Sequence, residues 1–337
     1  MPDLASAQRV LDGDGAIGAL IERRCRQWGP HLDAEASSLF ARGGAAVKLA
    51  YARLAVRHGS FGNDFHAYHN EHHVLEICDQ RIDRLADAIG FDALRPKDWC
   101  ALMLFGAGHD LRQREAPGTV AGVGANERAS IEETHRILDA TGFSRERDAE
   151  TYLMLELMIA GSTFDARPPP GGALYNAADL VQSGGALAAK LDASLDAVRP
   201  GWRHDPAIVG AHGLALIAAD LDTANVAEPF DVFATTGENL CREREMLSGR
   251  SLAAAESALP VLSFLTSGQD RFFFELHRFQ SEQGRAAFAP GKQANAPRLK
   301  ALVAGLRARI ALQGMPETGA RVLDAYHASV EGILDAI

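Results

Sequence analysis

Three short segments of the chain hold residues that could bind a metal ion: Tyr-His-Asn-Glu-His-His at 68–73, Gly-His-Asp at 108–110 and Ala-Asp-Leu-Asp at 219–222. Imidazole and carboxylate groups are common ligands of divalent transition metals at neutral pH. Each segment adjoins an apolar run with helical spacing. Together the segments predict a metal site in the core of a helical protein.

The first two segments offer pairs of candidate ligands. His69 and His73 are four residues apart, so on a helix they would project from one face. His109 and Asp110 follow an apolar run through Gly-Ala-Gly at 106–108, and glycine permits the helix to end or distort there, which adjacent residues need in order to reach one ion. Each pair alone is also compatible with a hydrogen-bonded core histidine or a capping aspartate.

The third segment offers two aspartates. Asp220 follows the nearly all-apolar run 214–219, and a buried carboxylate needs a cation partner, either a metal ion or an arginine. Asp222 comes two residues later, roughly on the opposite side of a helix, where it is expected to cap the helix or to face solvent. Asp220 is therefore the predicted ligand.

The elements that position these residues are predicted to be helices throughout, so the fold class is all-α. Alternating β-branched runs are nearly absent, and aromatic residues make up only 7% of the chain. The candidate helices are 35–57, 71–90, 96–108, 126–141, 146–161, 206–222, 228–247, 251–266, 269–284, 296–313 and 317–336. The helix over 96–108 is apolar on nearly all sides, which is typical of a central helix.

The predicted organisation has three parts: an N-terminal helical segment over 1–59, a metal-binding catalytic core over 60–250 and a C-terminal helical extension over 251–337. The glycine-containing stretch 111–125 is predicted to be a loop. The proline- and glycine-rich stretch 165–205 is predicted to be an insertion or a lid.

Composition excludes several classes of function. A formal net charge of −10 argues against a nucleic-acid binder, and no run of about 18 apolar residues predicts a membrane span. The four cysteines form no Cys-x-x-Cys pair, and no basic and apolar leader opens the chain. A cytoplasmic protein with reduced thiols is therefore expected.

The motif residues resemble the His…His-Asp…Asp signature of the HD-domain metal-dependent phosphohydrolases. The segment 68–73 is similar to the Tyr-His-Asn-x-x-His motif of class I cyclic nucleotide phosphodiesterases, and Ala-Asp-Leu at 219–221 is similar to their last motif. Asn-Glu-Arg-Ala-Ser at 126–130 resembles the Asn-Glu-x-x-Ser element of bacterial HD phosphohydrolases. The resemblance covers roughly residues 60 to 250 and implies a phosphodiesterase-like helical bundle.

By this resemblance, His73, His109, Asp110 and Asp220 would be metal ligands, and His69 would be the general acid. Glu127 would orient the attacking water or hold His69 by a hydrogen bond. The chain differs from the phosphodiesterases at Gln113, where they have a further histidine. One or two divalent ions are therefore expected, drawn from manganese, iron, zinc, nickel and magnesium.

Substrate contacts are predicted for Asn70 and for three arginines, Arg112, Arg114 and Arg128, whose guanidinium groups suit phosphate oxygens. The resulting hypothesis is a hydrolase that cleaves a phosphate mono- or diester of a small nucleotide-like substrate through metal-activated water. A homo-oligomer is compatible with the sequence. The alternatives are a di-iron oxygenase, which would recruit His135 and His212, and a non-catalytic helical protein that retains a metal site.

Overall fold

The computed structural model describes residues 4–13, 15–112, 124–165 and 185–335. The predictions for Gln113 and Arg114, and those for most of the 111–125 loop and for 166–184 of the insertion, lie outside these ranges. The described residues are mostly helical, which confirms the all-α fold class. Among them, β structure is limited to one antiparallel pair of two-residue strands, β1 (Phe164–Asp165) and β2 (Gly185–Ala186).

The chain divides into two compact units. One unit comprises Met1–Asp222 and Phe279–Ala287, and the other comprises Thr223–Arg278 and Phe288–Ile337. The described helices of the first unit are α1 (Leu4–Gly13), α2 (Ala16–Trp28), α3 (Ala34–Arg57), α4 (Glu71–Leu75), α5 (Ile82–Ile89), α6 (Pro96–Gly108), α7 (Ala125–Ala140), α8 (Ala149–Ser162), α9 (Leu191–Val198) and α10 (Pro206–Asp222).

Helix α4 continues without a break through a π-helical stretch, Glu76–Arg81, into α5. The sequence prediction of one helix over 71–90 is thus confirmed in extent. Asn70 ends the preceding loop, and its side-chain Oδ1 accepts a hydrogen bond from the backbone N–H of His72 at 2.9 Å. This is an N-cap, which satisfies one of the amide groups that the first turn leaves unpaired.

Helix α6 lies at the centre of the first unit, as predicted, because every residue from Asp98 to Gly108 is buried. Its two glycines allow neighbouring segments to approach closely. A Cβ atom on Gly106 would lie 2.8 Å from both Cys78 Sγ and Ile77 Cγ2, and one on Gly108 would lie 2.7 Å from Thr134 Oγ1. The π-helical stretch and α7 therefore both pack directly against the end of α6.

The second unit contains α11 (Phe230–Leu247), α12 (Ala258–Ser263), α13 (Gln269–Arg271) and α15 (Gly319–Leu334). Two π-helical stretches, Phe264–Gly268 and Phe272–Leu276, make α12 and α13 part of one continuous helix over 258–276. The hydroxyl of Tyr326 donates a hydrogen bond to the carbonyl of Ala234 at 3.0 Å and so joins α15 to α11.

Three predicted helix boundaries were wrong, and α1, α2 and α9 were missed. The helix predicted over 269–284 is interrupted, because residues 277–281 are not helical. Helix α14 (Glu282–Gln313) begins well before the predicted 296 and contains Pro290 and Pro297. Proline removes an intrahelical hydrogen bond, but buried apolar residues on α14, Phe288, Leu299, Leu302 and Leu306, override that local preference. Residues 251–257 form turns and a 3₁₀ segment before α12 rather than the start of a helix.

Within the described part of the chain, one helical stretch, Pro206–Ala227, is long and apolar enough to cross a membrane. Its most apolar 18-residue window has a mean hydropathy of 1.3, and 56% of that window is buried inside the protein. A core helix passes the same test of length and composition, so this stretch is weak evidence of a membrane span.

Candidate metal centre

Four side chains from three distant parts of the chain converge beside the end of α6. Ligand atoms of His73, His109 and Asp222 all lie within 4.8 Å of one another. Asp222 Oδ1 is 3.4 Å from His73 Nε2 and 3.3 Å from His109 Nε2. Asp110 Oδ2 is 2.9 Å from His109 Nε2 and 3.8 Å from His73 Nε2. The predicted grouping of His73, His109 and Asp110 is thus reproduced by the geometry.

The ring of His73 is oriented by Glu76, one turn further along the same helix. His73 Nδ1 lies 3.3 Å from Glu76 Oε2, so the carboxylate favours the tautomer in which Nδ1 carries the proton. Nε2 is then left with a lone pair that faces Asp110 and Asp222. A carboxylate behind the imidazole is the usual arrangement around a metal-binding histidine.

The ring of His109 is held in an equivalent way by backbone. His109 is the C-cap of α6, and its Nδ1 lies 3.2 Å from the carbonyl oxygen of Phe105. Its Nε2 is buried and, among the described residues, has no partner with hydrogen-bond geometry. The nearby oxygens of Asp110 and Asp222 are close but poorly aligned for a hydrogen bond, which suits ligands arranged around a shared cation.

Asp222, and not the predicted Asp220, lies in this cluster. Both carboxylates end the same apolar helix, but two residues correspond to about 200° of rotation, so they face opposite ways. The expectation that Asp222 would cap the helix or face solvent was therefore wrong. Asp222 is the last residue of α10, 19% exposed, and its carboxylate points at the two histidines.

The carboxylate of Asp220 has a different set of partners. It accepts hydrogen bonds from the backbone N–H of Gln280 at 2.6 Å and from the N–H and hydroxyl of Ser281 at 2.8 and 2.6 Å. Burial raises the pKa of Asp220 to about 6, and these hydrogen bonds oppose the rise. The side chain holds the non-helical segment before α14, and the cation partner expected from its burial is replaced by hydrogen-bond donors.

Arg81 anchors the end of α10 from the π-helical stretch. Its guanidinium is fully buried and donates to the carbonyls of Leu221 at 3.0 Å and of Asp222 at 2.7 Å. It also donates to Glu76 Oε2 at 3.1 Å. Residues five apart are about 140° apart on an α-helix but lie one turn apart in a π-helix. The π-helical stretch therefore makes the contact between Glu76 and Arg81 possible.

His69 lies in the loop before α4, outside the helix predicted over 71–90. The helix begins at Glu71, so four-residue spacing does not place His69 over His73. The two rings are nevertheless neighbours, with centroids 6.2 Å apart. Tyr68 packs against both rings, with centroids 4.8 Å from that of His69 and 4.5 Å from that of His73.

The charges within the cluster strongly influence the protonation of His109 and Asp222. Burial lowers the pKa of His109, but the carboxylates of Asp110 and Asp222 outweigh it and raise the pKa well above its usual value. Burial raises the pKa of Asp222, but His109 and His73 lower it far below its usual range. Two buried carboxylates between two imidazoles thus attract positive charge, which either a proton on His109 or a metal ion supplies.

Glu127, on helix α7, lies close enough to the cluster for the charges of Asp110 and Asp222 to affect its pKa. Glu127 is half-buried, and burial, with added repulsion from Asp110 and Asp222, raises its pKa. Ser130, three residues on, accepts a hydrogen bond at its Oγ from the backbone N–H of Arg112 at 3.1 Å. The Asn-Glu-x-x-Ser element therefore joins α7 to the chain just after His109 and Asp110.

The residues predicted to contact substrate have other observed partners. The Nδ2 of Asn70 donates to the carbonyl of His66 at 2.7 Å while its Oδ1 caps α4, so both ends of the amide are engaged. Arg112 lies 4.0 Å from the buried carboxylate of Glu133. Arg128 is exposed on α7. Substrate contacts by these side chains remain predictions.

The two further histidines required by the oxygenase alternative lie outside the cluster. His135 Nε2 is 3.5 Å from Glu156 Oε1, and its ring packs on Tyr152 of α8. His212 Nε2 is 2.6 Å from Asp192 Oδ1. Neither histidine belongs to the group formed by His73, His109 and Asp222.

The donor set fits a divalent transition metal. It combines two buried imidazole nitrogens, each with its other nitrogen engaged, and two carboxylates that neutralise a 2+ charge. Sequence reasoning missed Asp222, Glu76 and Arg81. The spacing of His73 and Glu76, three residues apart on one helix, was a usable signal for the second of these.

No protein-family model matches the chain, and a search of curated proteins finds no match. The resemblance to HD phosphohydrolases therefore rests on the motif residues themselves.

Proposed function

We propose that the protein is a metal-dependent phosphohydrolase that cleaves a mono- or diester of a small nucleotide-like phosphate. The observation that carries the proposal is the convergence of His73 Nε2, His109 Nε2, Asp222 Oδ1 and Asp110 Oδ2, which come from three motifs in the order of the HD signature. The shift of the last ligand from Asp220 to Asp222 keeps that order.

These four residues would hold one divalent ion, with Asp110 and Glu127 available toward a second. When bound, such an ion lowers the pKa of a coordinated water toward neutrality and polarises a phosphoryl oxygen. Two imidazole donors favour manganese, iron, zinc or nickel over ions that prefer only oxygen ligands. The ion would also locally offset the chain's net charge of −10 toward an anionic substrate.

His69 is the residue best placed to move a proton. Its side chain is partly exposed and its ring lies beside that of His73. Burial raises the pKa of Asp110, but the charges of His109 and then of His69 lower it below its usual value. From this position the imidazole would protonate the leaving oxygen of the ester. General acid catalysis of this kind contributes about 10²–10⁴ in rate.

Glu127 is suited to hold the attacking water. Its raised pKa places the carboxyl nearer the range in which it exchanges protons at neutral pH. Glu127 lies on α7, a helix that carries none of the four candidate ligands.

The first test is elemental analysis of the purified protein, followed by manganese loading and a screen of phosphate mono- and diesters. We expect one or two ions per chain and hydrolysis of at least one ester class. Exchanging His69 for glutamine should reduce kcat by about 10²–10⁴ while metal content stays constant. His72→Gln is the matched control, because His72 is an exposed histidine only three residues away along the chain.

The outcomes separate the proposal from its alternatives. Two bound irons with oxygen consumption would replace hydrolysis with oxygenase chemistry. Bound metal without any turnover that depends on His69 would leave a non-catalytic metal-binding protein. A chain that binds no metal under either condition would overturn the proposal.

A further inference from the structure

A second group of potential ligands lies in the loop between α3 and α4, apart from the candidate metal centre. It consists of His58, Asp64 and His66, whose ligand atoms all lie within 4.8 Å of one another. Nothing in the proposed hydrolysis uses these residues. The group lies entirely within the first unit and within the described residues.

The distances in this group match those around a metal ion better than those of hydrogen bonds. Asp64 Oδ2 is 3.4 Å from His58 Nδ1 and 3.6 Å from His66 Nε2. Hydrogen-bonded atoms of these types lie about 2.7–3.2 Å apart. Zinc bonds of about 2.0–2.1 Å in a tetrahedral arrangement place neighbouring ligand atoms roughly 3.3–3.5 Å apart.

The two imidazoles are held in place by the backbone. His58 is the C-cap of α3, with its N–H bonded to the carbonyl of Leu54 at 2.8 Å, and its own carbonyl accepts the N–H of His66 at 2.8 Å. Both side chains are almost completely buried, at 0% and 1% exposure. Their ring centroids are 4.3 Å apart at an angle of 56°, so the rings converge without stacking in parallel.

The loop between them is tightly turned. A Cβ atom on Gly62 would lie 2.6 Å from the carbonyl oxygens of both Val56 and Arg57. Asp64 lies on the solvent side of the group, and its side chain is 54% exposed. Two buried nitrogen donors and one surface carboxylate therefore leave the remaining coordination position open to water.

We propose that His58 Nδ1, His66 Nε2 and Asp64 Oδ2 bind a second divalent transition-metal ion, zinc by preference. Two imidazole donors with one carboxylate form a nitrogen-rich set that zinc accepts and that magnesium and calcium disfavour. The carbonyl of His66 accepts the Nδ2 of Asn70 at 2.7 Å, so ordering this loop also orders the N-cap of the helix that carries His73.

The test uses the full-length protein, stripped of metal with a chelator and then titrated with zinc and separately with cobalt(II). Asp64→Ala should remove one equivalent of bound zinc and the cobalt absorption of a four-coordinate nitrogen–oxygen site. The affinity loss should exceed the roughly 10–100-fold typical of changes outside the ligand set. Because Asp64 is largely exposed, this variant should fold normally. Asp92→Ala, at a position 93% exposed, is the matched control.

A second variant separates this site from the candidate metal centre. Asp222→Asn should lose metal at that centre and keep the equivalent that depends on Asp64. Hydrogen exchange of the amides of residues 66–73 should slow on zinc addition in this variant, and should not change in Asp64→Ala. Equal zinc stoichiometry in the wild type and Asp64→Ala would overturn the proposal, whether or not the protein hydrolyses phosphate esters.

Discussion

The guanidinium of Arg81 donates a hydrogen bond to the backbone carbonyl of Asp222 at 2.7 Å. This bond ties the end of α10 to the π-helical stretch, and it places positive charge near the negative end of the helix dipole. The same guanidinium contacts Glu76, which orients His73. One buried arginine thus positions two of the candidate ligands.

Arg81→Lys should weaken metal binding without removing a ligand. Lysine keeps the charge but loses the forked geometry that reaches both Glu76 and the carbonyl of Asp222. We expect metal affinity, measured by chelator competition, to fall about 10–100-fold. Arg26→Lys, at a position 73% exposed, should have no effect. An unchanged affinity in Arg81→Lys would show that the arginine does not position the ligands.

The two aspartates at the end of α10 should respond in opposite ways to the same substitution. Asp222→Asn should abolish metal binding at the candidate centre and leave the fold intact. Asp220→Asn should retain metal, but it should lower the free energy of unfolding by about 1–3 kcal/mol, because its amide cannot accept from all three donors of Gln280 and Ser281. Metal analysis and urea unfolding of both variants test this. The reverse pattern would restore Asp220 as the ligand.

Asn70 should contribute to stability rather than to substrate affinity. Asn70→Ala removes the N-cap of α4 and should cost about 1 kcal/mol of unfolding free energy. Asn70→Ser keeps a hydroxyl acceptor for the N–H of His72 and loses only the bond to the carbonyl of His66, so it should be less destabilising. Thermal unfolding ranks the variants. A large rise in KM with unchanged stability would instead support the predicted substrate contact.

Two glycines provide a matched pair for the packing of α6. Gly106→Ala places a methyl group 2.8 Å from Cys78 Sγ and Ile77 Cγ2, and such overpacking costs about 1–3 kcal/mol. Gly213→Ala, in α10 with no atom within 4 Å of its Cβ position, should stabilise the protein by about 0.5–1 kcal/mol. Urea unfolding measures both. Equal effects would contradict the close approach of the π-helical stretch to α6.

The second unit should lose stability in acid because of His277. Its Nδ1 accepts from Lys292 Nζ at 3.0 Å, and its Nε2 lies 3.1 Å from Thr223 Oγ1, an arrangement that requires a neutral ring. Burial and the charge of Lys292 lower the pKa of His277 to about 3. The folded state therefore binds fewer protons than the unfolded state between about pH 3 and 6.5.

Stability should consequently fall as the pH drops below 6.5, by about 2 kcal/mol from this residue between pH 7 and 5. His277→Gln should remove that part of the pH dependence, whereas His31→Gln, at a half-exposed position, should keep it. Urea unfolding at several pH values gives the comparison. Parallel pH profiles for the wild type and His277→Gln would refute the assignment.

The sequence predicted most of the fold because helical periodicity and capping are local properties. The all-α class, the central position of α6 and the extent of the helix over 71–90 all follow from patterns within a few turns. The interruption at residues 277–281 does not, because it depends on the carboxylate of Asp220, about sixty residues away in the chain. Local sequence also does not predict that α14 continues through two prolines, because the helix there is stabilised by tertiary burial of its apolar residues.

The sequence predicted the motifs that form the candidate site, but it did not predict which carboxylate of the last motif faces the histidines. Asp220 and Asp222 follow the same apolar run, and only the packing of α10 decides which carboxylate faces His73 and His109. His69 lies near His73, but four-residue spacing on a helix is not the reason, because the helix begins after His69, at Glu71. Arg81 had no sequence signal, since a buried arginine is recognised only by the carbonyls that it contacts.

The π-helical stretch Glu76–Arg81 has an evolutionary consequence. A π-helical turn holds one residue more than an α-helical turn of the same length. The stretch that lets Glu76 contact Arg81 is therefore equivalent to an α-helix with one inserted residue. In an alignment, chains that hold the counterpart of Asp222, the last candidate ligand, in this way would show one extra position between the first histidine motif and the buried arginine. A one-position gap there would identify relatives that stabilise this candidate ligand by some other contact.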